Sequence, residues 1–488
     1  MSKQKSLKLN FVMNAILTMS SFIFPLITFP YVSRILLPTG TGKVSFATSL
    51  ISYFSMFAQL GIPTYGIRAC AKVRDNREEL TRTAHELLAI NIVMDIISYA
   101  ILILALSFVH RLQEERTLYI IVSFTIVLTS MGMEWLYKAL EQYTYITIRS
   151  IIFKLVALIA MFLLIHDDDD YVIYGGISIL ASSASHILNF INAHKYIDMR
   201  PIGHYNFKRH FKLIGVFFAM SCATTIYTHL DTLMLGFMKT DEDVGYYNAA
   251  VKIKTILVSV VTSLGTVLLP RASYYVEHGM IEKFKHITRK ALNFVFVAAS
   301  PLMLYFILYA RQGIFFLSGN AYAGSIVPMK IIMPTLLFIG ITNILGIQIL
   351  VPLGREKTVL YSEIAGAITD LLLNAILIPR FASTGAAIGT LTAEFVVLVV
   401  QYAALQKELM DSFCSIAYWK IIIGLLLGCI CSYWCVQLEL GNLITLVVTA
   451  LLFFGVYGFT LLITRESFTL EIFRQIVEEI GKYIRDKN

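Results

Sequence analysis

Charge is what this sequence has least of: Asp, Glu, Lys and Arg make up 15% of its 488 residues, against about a quarter in soluble domains. With 57% hydrophobic residues and a mean hydropathy of +0.71, water cannot solvate most of such a surface. A string of soluble domains is excluded, and a polytopic membrane protein is indicated. Cysteine is scarce as well. The six (Cys70, Cys222, Cys414, Cys429, Cys431 and Cys435) contain no CxxC pair, so neither a zinc ribbon nor a dithiol redox motif is expected. Cys431 and Cys435, one helical turn apart, read as small apolar packing residues rather than a metal site. There is no GxxxxGK[ST] loop, so the chain is not expected to hydrolyse ATP. There is no HExxH or GxSxG, and the ten histidines are scattered. No catalytic centre, metal or cofactor is therefore expected. The excess of 40 Lys+Arg over 32 Asp+Glu sits in short loops between apolar runs. That placement suits topology control and anionic headgroups, not nucleic acid.

What is present is a series of long apolar runs. A hydrocarbon core about 30 Å thick needs roughly 20 apolar residues per helix. Fourteen such runs centre on 10–32, 44–67, 86–109, 117–137, 146–165, 171–191, 212–237, 246–269, 291–310, 328–351, 358–379, 384–404, 417–437 and 441–464. They are continuous rather than alternating, which predicts helices and not barrel strands. The first run holds Pro25 and Pro30 and shows no cleavage signal, so it reads as a helix rather than a signal peptide. An even number of spans puts both termini on one side. The loops on that side hold 28 Lys/Arg against 8 opposite, which predicts cytoplasmic termini by the positive-inside rule.

A shift of 203 residues superposes Gly42 on Gly245, Ala47 on Ala250, Arg68 on Arg271 and Ala69 on Ala272. In each copy the glycine opens a helix and the Arg-Ala pair closes it. Such a duplication predicts an all-α fold of two pseudo-symmetric six-helix bundles, residues 1–200 and 205–405. Helices 13 and 14 (415–465) lie outside the duplication, and an amphipathic tail (466–488) is expected on the cytoplasmic surface.

The stretch Glu134-Trp135-Leu136-Tyr137-Lys138-Ala139-Leu140-Glu141-Gln142-Tyr143-Thr144-Tyr145-Ile146-Thr147-Ile148-Arg149-Ser150 resembles the helix 4–5 signature of bacterial polysaccharide flippases. Tyr31 to Gly42, Asp231 to Gly236 and Val244 to Ala249 agree with it. The whole chain is thus similar to O-antigen flippases of the Wzx type, in the multidrug/oligosaccharidyl-lipid/polysaccharide exporter superfamily. Leu37 departs from the pattern, standing where that family usually has glycine before the proline, and Ala139 stands where glycine is frequent. The resemblance implies movement of an undecaprenyl-diphosphate-linked oligosaccharide from the inner to the outer leaflet of the bacterial cytoplasmic membrane. It also implies the lipid bilayer, a polysaccharide polymerase and glycosyltransferases as partners. A lipid II flippase and a multidrug/cation antiporter share the fold and remain alternatives. A membrane-embedded glycosyltransferase would need a large outside loop, and the longest one here spans only 311–327.

Sugars and a diphosphate cannot cross hydrocarbon unshielded, so the candidate site residues are the charges within spans. Arg34, Lys252, Lys254 and Lys154 are candidates for phosphate contact, with snorkelling at a span end as the competing reading for Arg34. Arg68 and Arg271, at span ends, read either as topology anchors or as further phosphate ligands. Glu363, Asp370 and Asn374 recur at spacings of 7 and 4, within about 40° on one helical face. That stripe either hydrogen-bonds a neighbouring helix, lines a cavity or couples an ion. Asp231 and Glu134, with Asp95 and Glu394, are single candidates for gating or coupling. The orientation has a direct check: cysteines placed in 68–85, 192–212 and 271–290 should resist an impermeant thiol reagent added from outside. Ready labelling of all three would reverse the topology.

Overall fold

The computed structural model describes residues 7–414, 416–438 and 441–471, with Phe473, Arg474 and Glu478. Among these residues all regular structure is helical and no strand occurs. Most of the expected amphipathic tail, including Ile476, Val477, Ile480 and Ile484, lies outside the described residues. Among the described residues ten helices are long and apolar enough to cross a membrane, or eleven if one bent pair is counted as a span. The sequence expectation of fourteen differs because two elements, Val12–Val73 and Glu356–Gln406, each carry two of the apolar runs. In addition, Tyr418–Tyr433 is shorter than a full span. Large apolar side chains such as Ile96 (65% exposed), Leu163 (66%) and Leu451 (71%) cover the outside, as expected where the solvent is lipid.

The chain divides into two compact units, Met1–Asn248 and Ala249–Asn488, with the boundary inside a helix. The first unit opens with α1 (Leu7–Gln59), which is interrupted at Leu37 (φ 58°, ψ 177°). The next residue explains the break. Pro38 disfavours helical geometry in the residue before it, and its ring suits the first position of a new helix. A second turn at Leu60 (φ 47°) and Gly61 (φ 71°) leads into α2 (Ile62–Val73). The Asn76 side chain accepts from the backbone N–H groups of Glu78 and Glu79 and so caps α3 (Arg77–Phe108). Then follow α4 (Arg116–Gly132), α5 (Glu134–Ala139) and α6 (Tyr143–Leu164), separated by positive φ at Met133 and Glu141. A π-helical stretch, Leu180–Ala184, joins α7 (Tyr171–Ile179) to α8 (His186–Asn192).

The unit closes with α9 (Lys208–Met238) and the start of α10 (Asp241–Glu277). The glycines matched by the internal repeat meet here. A Cβ on Gly42 would lie 1.8 Å from the Asp241 carbonyl oxygen, and one on Gly245 would lie 2.0 Å from that of Pro38. The second arm of α1 and the start of α10 therefore touch backbone to backbone, which only glycine permits.

In the second unit, α11 (Ile281–Leu308) is followed by a bent pair, Asn320–Ile332 and Thr335–Leu350, with 44° between them. Next comes α12 (Glu356–Cys414), broken at Ala382 (φ 47°, ψ −127°), then α13 (Tyr418–Tyr433) and α14 (Asn442–Ile463). Tyrosines fasten these last helices to α11: Tyr305 donates to the Leu446 carbonyl (2.8 Å) and Tyr457 to that of Val297 (2.9 Å). Beyond α14, Glu466 accepts from the backbone N–H of Thr469 (2.7 Å) and Phe468 (3.0 Å) and from the Asn293 amide (2.7 Å). Burial alone would raise its pKa, but these donors hold the carboxyl below the usual range.

The break at Leu37 tests this account. Backbone near φ 60°, ψ 180° costs a residue with a Cβ about 1–3 kcal/mol, and the Leu37 side chain is 39% exposed. Leu37→Gly should therefore raise stability by about 1 kcal/mol, seen as a higher Tm in detergent. A lower Tm would show that Leu37 packing outweighs the strain.

Candidate functional site

The flippase-like signature builds a partly buried ion cluster. Met133 in the left-handed conformation starts α5, so Glu134 points back to residues that follow much later in the chain. Its carboxylate receives Lys138 Nζ at 2.8 Å, Arg149 Nη2 at 2.9 Å and His186 Nε2 at 3.0 Å. Arg149, from α6, is buried (4% exposed) and also donates from Nη1 to Ser185 Oγ at 2.5 Å. His186 reaches Glu134 because residue 132 is glycine: a Cβ there would lie 2.4 Å from the His186 Cβ. The π-helical stretch just before α8 supplies Ser185 and His186 together; such bulges frequently mark functional positions. Aromatic residues of the signature lock the surroundings. Trp135 packs on Gly66, and Tyr137 donates to the Asn189 carbonyl at 2.5 Å.

A second cluster centres on Glu86, which is fully buried near the start of α3. It accepts from the Asn206 backbone N–H (2.6 Å) and from Arg209 Nε (2.9 Å) and Nη2 (2.6 Å). His210 Nε2 lies 2.6 Å away and its Nδ1 is 2.7 Å from the Tyr65 hydroxyl. The segment leading into α9 is thereby tied to α2 and α3. Neither Glu86, Arg149, His186, Arg209 nor His210 stood out in the sequence. Arg149 sat inside the signature and Glu86 opened an apolar run, which were usable signals. The His186 contact depends on a tertiary approach that spacing does not encode.

The expected site residues scatter. Lys154 donates to Ser20 Oγ (2.8 Å) and Ser21 Oγ (3.0 Å), joining α6 to the first arm of α1. Arg34 is exposed and donates to the Pro30 carbonyl one turn back. Arg68 and Arg271 are exposed, while Lys252 and Lys254 are half-buried in the second unit. Asp231 is buried and accepts from the Tyr247 hydroxyl, and Asp95 accepts from Ser130 (2.8 Å). The α12 stripe splits: Glu363 is exposed, whereas Asp370 (4% exposed) and Asn374 (0%) are buried. The latter two pack on Gly389 of the second arm, where a Cβ would lie 2.2 Å from Asn374 Oδ1. Glu394 is buried on that same arm. Among the described residues no group of three His, Cys, Asp or Glu is placed to hold a metal ion.

The first unit also holds a cavity of about 350 Å³ between the second arm of α1, α4 and α9, and none of its twelve lining residues is charged.

Broken spans, ion clusters and an uncharged polar cavity define a polytopic helical membrane protein. The comparisons narrow the class. The family model described as "Polysaccharide biosynthesis protein" matches residues 7–276, more than half of the chain, and the protein belongs to that family. A second model, MatE, matches residues 217–376. The chain is 25% identical over 398 residues to the Escherichia coli K12 protein named "Putative O-antigen transporter", covering 80% of this chain and 95% of that one. It is also 25% identical over 266 residues to "Probable flippase AglR" of Haloferax volcanii, covering 52% and 54%. Among solved structures, the lipid II flippase MurJ in an inward closed conformation superposes with a TM-score of 0.73 at 16% identity. That match covers 96% of this chain and all of the other, which establishes a shared fold.

The Glu134 cluster makes a measurable claim. Removing one member of a buried ion pair costs about 3–5 kcal/mol. Because Lys138 and His186 remain beside Glu134, Arg149→Ala should cost about 3 kcal/mol, the low end of that range, read as a lower Tm and less folded protein in the membrane. The pair Glu134→Gln with Arg149→Met should lose less than the two single changes summed. Strict additivity would mean the two groups do not interact.

Proposed function

We propose that this protein is a flippase that moves a lipid-diphosphate-linked oligosaccharide from the inner to the outer leaflet of the bacterial cytoplasmic membrane, for assembly of a surface polysaccharide. The observation that carries the reading is the family match over residues 7–276, together with a relative named as an O-antigen transporter that aligns over 95% of its own length. The two six-helix bundles, 1–200 and 205–405, form the proposed carrier halves, supported by the 203-residue repeat. Both termini are placed in the cytoplasm, on the 28 to 8 distribution of Lys and Arg.

The diphosphate needs fixed positive partners along a low-dielectric path. Arg34 and Lys252, with Lys254, Arg68 and Arg271 as secondary contacts, are the proposed phosphate ligands. An arginine offers a two-pronged contact and a lysine a movable point charge.

Depletion in the native host should deplete surface glycan and accumulate the lipid-linked repeat unit inside. Complementation by Arg34→Ala or Lys252→Ala should restore about a tenth of export or less, a loss on the scale of one charge-assisted contact. Lys252→Arg should recover most of it. Normal export by both alanine variants, each inserted at wild-type levels, would reduce these residues to interface anchors.

A further inference from the structure

We propose that the uncharged cavity of the first unit is a glycan subsite, holding the sugar portion of the cargo apart from its diphosphate. The proposal rests on the flippase reading and adds to it where, and by what chemistry, the sugar is held.

The second arm of α1, continued by Gly61 at the start of α2, runs beside α9 and touches it closely at two places. At one end a Cβ on Gly61 would lie 2.5 Å from the Phe217 carbonyl carbon. At the other, a Cβ on Gly236 would lie 2.1 Å from the Phe46 ring. Between these contacts the helices carry small residues that would allow equally close packing. The lining side chains leave about 350 Å³ of space there, at the lower end of the range for small-ligand sites, about 300–1,000 Å³.

The lining chemistry selects the occupant. Ser52, Ser55 and Gln59 lie at spacings of 3 and 4 on one face of α1. Ser221 and Thr225 answer them from α9, and Thr125 from α4. Local bonds use some of the donors: Ser52 donates to the Thr48 carbonyl (2.8 Å), and the Gln59 amide donates to Ser55 Oγ (2.7 Å). A hydroxyl that donates still has lone pairs to offer, so such oxygens suit a ligand rich in O–H groups. A diphosphate would meet no cation among the twelve lining residues. A prenyl tail would strip water from hydroxyls and an amide without replacing their hydrogen bonds. A polyhydroxylated, neutral ring satisfies both conditions. The Ile51, Met56 and Pro63 side chains in the wall offer apolar surface for the C–H face of such a ring. The exposure of Thr48 and Pro63 leaves the cavity open to one side, so a longer glycan is not confined to it.

The test uses the host in which the protein acts, depleted of the native copy, in two backgrounds. One makes the complete repeat unit. The other lacks the later glycosyltransferases and makes only the lipid-diphosphate carrying its first sugar. Export of both products is compared for the wild type and for the Ser52→Leu, Thr225→Leu double variant, which fills the cavity. Export of the complete unit should fall about tenfold more than export of the one-sugar product. An equal fall in both, or no change in either, overturns the subsite and leaves at most a water-filled cavity. Should the leucine pair fail to insert, Ser52→Val with Thr225→Val decides. The threonine change removes its hydroxyl at nearly constant volume, while the serine change puts one methyl in place of the hydroxyl and a second beside it. The variant thus tests hydroxyl loss with only modest filling, and an unchanged ratio of the two products overturns the proposal. Failure of the wild-type copy to restore either product would overturn the flippase reading itself, a result distinct from an unchanged ratio.

Discussion

A charge drawn among membrane helices must bring its counter-charge with it, and that requirement organises the first unit. Glu134 and Glu86 are each held by several donors from distant parts of the chain. The net gain from such pairs is small, because desolvation takes back most of the attraction. Their effect is on specificity. A helix that slid by one turn would leave a carboxylate alone in a low-dielectric medium, a far larger penalty than any loss of dispersion contacts with lipid-like neighbours. Apolar packing alone discriminates weakly between registers when the surroundings are equally apolar. The ion clusters therefore fix which faces of α3, α5, α6, α8 and α9 meet.

The helix breaks serve the same end. With no water to satisfy it, a backbone can bend only where its neighbours tolerate the disruption. The breaks of the first unit fall at Leu37–Pro38, Leu60–Gly61, Met133 and Glu141, and each redirects a functional segment. Met133 turns Glu134 inward, and Leu60–Gly61 ends the arm that lines the cavity. Glycine contacts on either side, Gly61 against the Phe217 backbone and Gly236 against the Phe46 ring, then set the spacing between α1 and α9. Close contact at the ends with a gap in the middle requires rigid helices, and rigidity comes from clusters that cannot shift register.

Much of this was legible in the sequence, and the limits are instructive. Helical class and span positions followed from continuous apolar runs, since composition alone decides what lipid accepts. The number of separate long helices did not, because within α1 and α12 consecutive apolar arms abut at a single non-helical residue, Leu37 or Ala382, with no loop between them. Leu37 was visible as a departure from the related pattern, and its positive φ shows what glycine supplies at that position. The repeat glycines were found by their spacing, yet nothing in that spacing said that Gly42 and Gly245 would approach one another's helices. The polar stripe on α12 illustrates the opposite error: angular position placed Glu363 with Asp370 and Asn374, but two turns along the axis separate an exposed carboxylate from a buried one.

Ranking intramembrane charges as site candidates assumed that a costly residue must touch the cargo. Some of these charges hold helices together instead, as Glu134, Lys154, Asp95 and Asp231 do. A guanidinium locked to a carboxylate and a serine, as Arg149 is, has little attraction left for a passing phosphate, and breaking that lock on every cycle would cost several kcal/mol. A carrier has to bind and then release, so strong fixed pairs suit the frame and weaker contacts suit the path. Hydroxyls and amides meet that requirement: each contributes about 1 kcal/mol net, sums to useful affinity over several contacts, and is given up one bond at a time. On this physical division, structural ties are ionic and buried, while recognition of a neutral glycan falls to the polar residues that scanning for charge passed over.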